Sequence, residues 1–201
     1  MTYASLGQIK SALAISSTDS VDDETLMLAL SAASEQIDAY CGRTFSETGV
    51  TEVRYFASYK SDQVEVDDMD GAPTEFAYSS NGNGVYDSTI DLGNLALLPS
   101  NGSVDGLRWP TTAVRVLTTE NLPVSRNGEP TVAITATWGF GYVPTSVVRA
   151  CIAQASRLHA RNLSPYGVAG FGDMGVVRLA QGLDVDVQQL LTPYCKIRGN
   201  L

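Results

Sequence analysis

The sequence predicts an α+β protein, a small helical bundle of three to four helices with a β-rich antiparallel insertion between helix two and helix three. Three observations predict it. Apolar residues recur at helical spacing as far as Cys41; the pattern turns to alternation, cut by Asp-Gly and Asn-Gly pairs, from about residue 50 to Trp138; and helical spacing returns after Pro144. At 201 residues the chain suits one domain, or one domain carrying a large insertion. The expected divisions are 1–48 for helices one and two, 49–138 for the insertion, 139–183 for helix three and a glycine-rich linker, and 184–201 for a C-terminal helix and tail.

Helix one is expected over about 5 to 14, because Ser5 with Gln8 three residues on forms a capping box ahead of Leu6, Ile9 and Leu13. Ser20 then reads as a second cap, with Asp22, Asp23 and Glu24 in a first turn where the helix dipole favours negative charge. Helix two follows as far as Cys41 and stops at Gly42. Its stripe is Leu26, Leu30, Ala33, Ile37 and Tyr40, while Leu28, Ala32 and Ala39 point the other way and offer a second face.

Strands are expected over 52–58, 63–66, 74–79, 85–92, 113–118 and 131–138, and the piece from Gly93 to Thr112, rich in Pro and Gly, reads as a long loop. In the last strand Val132, Ile134, Ala136 and Trp138 share one side and Thr131, Ala133, Thr135 and Thr137 the other. Gly139 and Gly141 relax the backbone, and Pro144 presets φ for helix three. There Val148, Cys151, Ile152, Ala155 and Leu158 cover an arc of roughly 120°. Asp184 caps a last helix with apolar positions Val187, Leu190, Leu191 and Tyr194. Pro193 ends or kinks it near Thr192, leaving Cys195 to Leu201 as an extended, free tail.

Composition narrows the function. The formal charge is −9, from 22 acidic against 13 basic residues, and Lys and Arg form no cluster of the kind that grips phosphate. No apolar run is long enough to cross a bilayer, and the N-terminal residues lack a secretory pattern, so the chain is expected to stay in the compartment where it is made. The three cysteines Cys41, Cys151 and Cys195 have no metal-ligand spacing and are expected as buried thiols.

The motifs that resemble chemistry fail on context. Gly170 to Gly175 matches G-x-G-x-x-G, but a helix precedes it and an extended run follows, the reverse of a dinucleotide site. Asp67-Asp68-Met69-Asp70-Gly71 lacks the remaining ligands of a calcium loop and reads as a solvated acidic turn. His159, the single histidine, falls in the apolar arc of helix three with no nucleophile presented in a recognisable turn. Trp138, Phe140 and Tyr142 read as core and subunit contact rather than as a ligand-stacking platform. No catalytic residue, cofactor or metal is expected.

The order of parts then resembles a known family. A short capped helix, a second ending in Ala-Tyr-Cys-Gly-Arg-Thr-Phe (39–45), a β-rich insertion, and Trp-Gly-Phe-Gly-Tyr-Val-Pro-x-x-Val-x-x-Ala (138–150) opening the next helix look like the head-tail connector (adaptor, or head completion) proteins of tailed bacteriophages. Gly-Phe-Gly-Asp-x-Gly-Val-Val-Arg-Leu (170–179) and Leu-Asp-Val-Asp-Val-Gln-Gln-Leu-Leu-Thr-Pro-Tyr (183–194) are similar to the endings of many of them. The resemblance covers roughly 3–45 and 136–195; the insertion is longer than in minimal members, and Cys195 stands where a basic residue is common.

The resemblance implies a virion structural protein of the neck, made in the host bacterial cytoplasm. It would form a homo-oligomeric ring, commonly of twelve subunits, between the portal protein and the next neck component, a stopper or tail terminator. Genomic DNA would pass through the channel without specific binding, and no membrane is involved. By analogy the C-terminal segment docks on the portal, with Leu190, Leu191, Tyr194, Lys196 and Arg198 as candidates; Leu28, Trp138 and Tyr142 are the candidates for subunit contact. The alternative from another class is a non-catalytic β-rich binding module for carbohydrate or protein, and a third reading is an enzyme using Ser, Asp and His159.

Overall fold

The computed structural model describes residues 2–45, 49–119, 121–162, 168–170, 176–178 and 182–196. They divide into two compact units, one made of Met1–Thr44 with Val143–Leu201 and the other of Phe45–Tyr142. Among the described residues the α-helices all lie in the first unit and the large antiparallel sheet in the second, so the class is α+β. No described helix is long and apolar enough to cross a membrane.

In the helical unit, α1 (Leu6–Ala12) starts at the expected capping box. The Gln8 N–H donates to Ser5 Oγ at 3.3 Å and the Ser5 N–H to Gln8 Oε1 at 2.7 Å, which satisfies two amides that a helix start leaves unpaired. α2 (Asp23–Cys41) begins later than the sequence suggests. Its cap position is Asp22 rather than Ser20, and it closes on Gly42, whose φ of 65° is the left-handed conformation that glycine takes without penalty. Leu26, Leu30, Ala33 and Ile37 are buried as expected, but Tyr40 is not: Ala29, Ser34 and Cys41 complete the buried face, which is rotated toward them.

α3 (Thr145–Asn162) packs on α2 through a similarly rotated arc, Val147, Ala150, Cys151, Ala155 and His159, leaving Val148, Ile152 and Leu158 only half-buried. Several polar groups at this seam are paired. Ser34 Oγ donates to Leu30 O at 2.8 Å and accepts from the Tyr3 N–H at 3.1 Å, and Gln154 Nε2 donates to Gln36 Oε1 at 2.7 Å.

α4 (Val185–Leu191) packs on α3 and carries the predicted Asp184 cap, whose carboxylate accepts from the Val185 N–H and also pairs with Arg157. Pro193 acts as expected: the helix tightens into a 3₁₀ turn over Thr192–Tyr194 and stops. The chain is not free at Cys195, however, because the Lys196 N–H donates to Cys41 O at 2.8 Å, tying the start of the tail to the end of α2.

The second unit holds a seven-stranded antiparallel sheet. Its strands are β1 (Val50–Phe56), β2 (Gln63–Met69), β3 (Glu75–Tyr78), β4 (Ser88–Thr89), β5 (Leu95–Leu98), β8 (Thr111–Val116) and β9 (Val132–Trp138); a separate small hairpin pairs β6 (Ser103–Val104) with β7 (Leu107–Arg108). The order is β4-β3-β9-β2-β8-β5, with β1 along the other edge of β9. β2 pairs with β8 from Gln63 to Glu65, shifts register, and reaches β9 through Met69 opposite Trp138. That bulge bends the sheet into a half-barrel. Its core is the inward row Val132, Ile134, Ala136 and Trp138, the side the alternation assigns, together with Val64, Met69, Phe76, Val114 and Val116.

Three stretches of this unit differ from expectation. Gly93 to Thr112 is not one long loop, since it contains β5, β6 and β7. Only Ser88–Thr89 of the expected strand 85–92 pairs. The acidic turn at Asp67 to Gly71 is mostly the end of β2: Asp68 and Met69 are buried, Asp67 pairs with Arg54 at 3.1 Å, and Asp70 pairs with Arg108 at 3.3 Å. In the helical unit a second two-stranded pair, β10 (Val168–Gly170) with β11 (Val176–Arg178), flanks the glycine-rich segment, whose residues 171–175 lie outside the described ones.

Candidate assembly interfaces

α2 and α3 pack on one another, with α1 against both and α4 against α3, and the exposed parts of the two helices differ in charge. α2 carries Asp23, Glu24, Glu35 and Asp38 and no basic residue; α3 carries Arg149, Arg157 and Arg161 and no acidic one. On α2, Glu24, Leu28 and Glu35 are exposed along one line, and Leu28 is 66% exposed beside an exposed Met27. On α3, Arg149, Ala153 and Arg157 stand at spacings of four on the exposed side, Arg157 paired with Asp184 at the start of α4. The unit therefore presents an acidic, partly apolar helix face and a basic one.

Asp38 sits at the inner margin of the acidic face, where it accepts a hydrogen bond from the Tyr3 hydroxyl. Burial raises its pKa above the ordinary carboxylate value; the Tyr3 bond opposes the shift, and the neighbouring Glu35 charge adds to it.

The candidate docking residues separate on burial. Leu191 is fully buried and Tyr194 nearly so, so both hold α4 and its following turn in the helical unit. Leu190 is 36% exposed and Lys196 half-buried; Arg198 lies outside the described residues. A helix of two turns shows apolar spacing but not which side its neighbour covers, so sequence alone had no means of dividing this group.

In the sheet unit, Trp138 belongs to the core rather than to the surface: it is 3% exposed, and its ring meets Phe56 at 5.3 Å. Phe140 is likewise buried, among Phe45, Trp109 and Tyr142 at 5.0, 5.7 and 5.1 Å. Tyr142 is half-exposed. Its hydroxyl donates to Arg108 O at 2.9 Å, and the Arg108 guanidinium covers its ring at 5.0 Å. An open cleft of about 550 Å³ lies beside this group, lined by Asp70, Asn101, Arg108, Trp109 and Phe140 among others.

The edge strand β1 is exposed over most of its length, with Val50, Val53 and Tyr55 on the surface and Tyr55 tilted against Tyr86 at 5.2 Å. An exposed edge with apolar side chains is a contact surface that the sequence does not mark, because its alternation is that of any half-buried strand.

His159 is buried on α3, and its Nδ1 makes no hydrogen bond among the described residues. No group of three or more His, Cys, Asp or Glu able to hold a metal ion occurs among the described residues.

No family model matches the chain, and no curated protein matches it. Solved structures do. A chain in the neck of an empty gene transfer agent (GTA) particle, computed with C6 symmetry, is similar over 97% of this chain and 90% of its own, with a TM-score of 0.53 and 15% identity. A chain in the virion of a native GTA particle is similar over the same shares, with a TM-score of 0.52 and 13% identity. The fold described above, helices and half-barrel sheet together, is thus one also found in the neck of a gene transfer agent particle.

Proposed function

We propose that this chain is a structural, non-enzymatic component of a phage-like virion neck, a head-tail connector whose helical bundle, interrupted by the β half-barrel, assembles as a ring under the portal. The observation that carries this reading is the fold likeness to a neck chain across 97% of the sequence. The charge pattern supports the ring. A closed ring needs two different surfaces on each subunit, one complementary to the other. The acidic face of α2 and the arginine-bearing face of α3 are such a pair, with Leu28 supplying apolar contact and Tyr142 a further contact from the sheet unit. The sixfold symmetry of the similar particle suits a ring of twelve copies as well as one of six.

The net charge of −9 supports a channel role, since an acidic wall lets DNA pass without adhering. Docking on the portal falls to Leu190, Lys196 and Arg198, with Leu191 and Tyr194 anchoring the segment that carries them. Negative-stain microscopy of the purified chain, alone and mixed with portal, tests this reading. Rings, or decoration of the portal's lower face that Leu190→Asp with Lys196→Glu abolishes, support it; an undecorated portal at micromolar concentrations of both refutes it. Point variants are the right tool because removing 184–201 also strips Val187, Leu191 and Tyr194 from the helical core.

A second reading is favoured by the open cleft, where Trp109 offers an aromatic face beside Asp70, Asn101 and Arg108, the setting of a carbohydrate- or protein-binding surface. Glycan binding lost in Trp109→Ala would support it.

A further inference from the structure

Outside the assembly faces, two cysteines approach one another at the C-terminal end of α2. The 3₁₀ turn after α4 delivers Cys195 in an extended conformation, φ −68° and ψ 138°, directly against that end. The Lys196 N–H donates to Cys41 O at 2.8 Å. The Cys195 thiol lies 3.5 Å from Leu191 O and 3.9 Å from Tyr40 O, the carbonyl of the residue before Cys41. Both cysteines are free, Cys41 buried and Cys195 half-exposed. A disulfide requires neighbouring Cα atoms and converging side chains. The backbone hydrogen bond and the contact of the Cys195 thiol with Tyr40 O, the carbonyl next to Cys41, set the two residues side by side.

The structure assigns Cys41 and Cys195 as a thiol pair that closes to a disulfide, fastening the C-terminal segment to the end of α2. The reaction partner is a small-molecule disulfide, RSSR. Cys195 is the sulfur it reaches, since Cys41 is buried. The Cys195 thiolate attacks one sulfur of RSSR, forming a mixed disulfide and releasing the first RSH after protonation. Cys41 then loses its proton to solvent and attacks the Cys195 sulfur, forming the Cys41–Cys195 bond and releasing the second thiol. In sum two protein thiols become one disulfide while RSSR is reduced to two RSH. Burial, and then the adjoining Cys195, push the Cys41 thiol up from its ordinary range, so the second step is the slow one and quickens as pH rises.

This bond does not depend on the neck reading. It gives the chain two states, one with thiols in a reducing medium and one cross-linked in an oxidising medium. The second joins residues far apart in sequence and restrains the unfolded chain accordingly. Cys151, bonded to Ser34 at 3.5 Å on the α2–α3 seam, serves as an internal reference that stays a thiol.

The test treats the folded full-length protein with oxidised glutathione and reads thiol content, peptide mass under non-reducing conditions, and thermal unfolding. The expected result is loss of two hydrogens, a cross-linked peptide pair containing Cys41 and Cys195, and a rise in melting temperature on the order of 5–10 °C. Cys195→Ser abolishes all three, and Cys41→Ser instead traps Cys195 as a glutathione adduct. Should Cys41→Ser fold poorly, the Cys195→Ser variant carries the comparison alone. Three titratable thiols persisting after treatment of the wild type, a stable Cys195 adduct that never resolves, or cross-links only between molecules would each overturn the assignment.

Discussion

The Trp138 indole N–H donates to the Glu52 carbonyl at 2.8 Å, two residues along β1 from Val50, the register partner of Trp138. The same ring lies under the Arg54 guanidinium at 5.0 Å. One side chain thus closes the end of the half-barrel core and pins the edge strand over it. Trp138→Phe keeps most of the apolar contact and loses the bond, so urea unfolding is expected to fall by about 1 kcal/mol. Trp138→Ala opens a cavity and is expected to cost about 3–5 kcal/mol.

Gly141 has φ +81°, and a side chain there would run into the Asp70 carboxylate, the partner of Arg108. Gly71 has nearly the same φ, +87°, but open space around it. Gly71→Ala is expected to cost about 1 kcal/mol, the conformational penalty alone. Gly141→Ala adds the collision and is expected to cost about 2–3 kcal/mol. Equal losses for the two variants in parallel thermal melts would mean that Asp70 yields without cost.

Asp38 has a folded-state pKa raised by burial, so the native state holds its proton to higher pH than the unfolded chain does. The sign follows from linkage. The contribution of Asp38 is fully present below its unfolded value of 3.8 and is lost as pH rises through the raised folded value. Asp38→Asn, which still accepts from Tyr3, is therefore expected to be at least as stable as wild type at pH 7. The stability gap between the two should narrow as pH falls from neutrality toward 4. A gap that widens on acidification would reverse the assignment.

If the outward faces of α2 and α3 meet between copies, Arg149→Glu sets like charges against each other. Assembly measured by light scattering or on the portal should weaken at least tenfold, and Glu35→Lys added to it should restore part of the loss. Because both residues are exposed, each variant should melt within about 0.5 kcal/mol of wild type.

What the sequence made legible follows from how local each signal is. The Ser5–Gln8 box, the Asp184 cap, the stop at Gly42 and the β9 alternation are all set by neighbours within a few residues, and each appears in the structure. The misreadings have one source. Leu95–Leu98 is a short apolar run with neither period, bracketed by Gly93 and Pro99, and only β8 alongside makes it a strand. Asp67 to Asp70 looked solvated because their partners, Arg54 and Arg108, lie 13 and 38 positions away. The buried arcs of α2 and α3 are turned from the most apolar stripe because each helix faces the other through small residues, Ala29, Ala33 and Ser34 against Ala150, Cys151 and Ala155. Trp138, Leu191 and Tyr194, read as contact candidates, are interior because elements distant in sequence cover them.

The central claim is a place in the neck of a particle. Electron cryomicroscopy of the parent virion, made with a small tag inserted at the exposed Asn81–Gly84 turn, tests it most directly. The account predicts ring-arranged extra density at the single head-tail vertex, between portal and tail. Tag density spread over the capsid surface or along tail fibres, or its absence from intact particles, would contradict it.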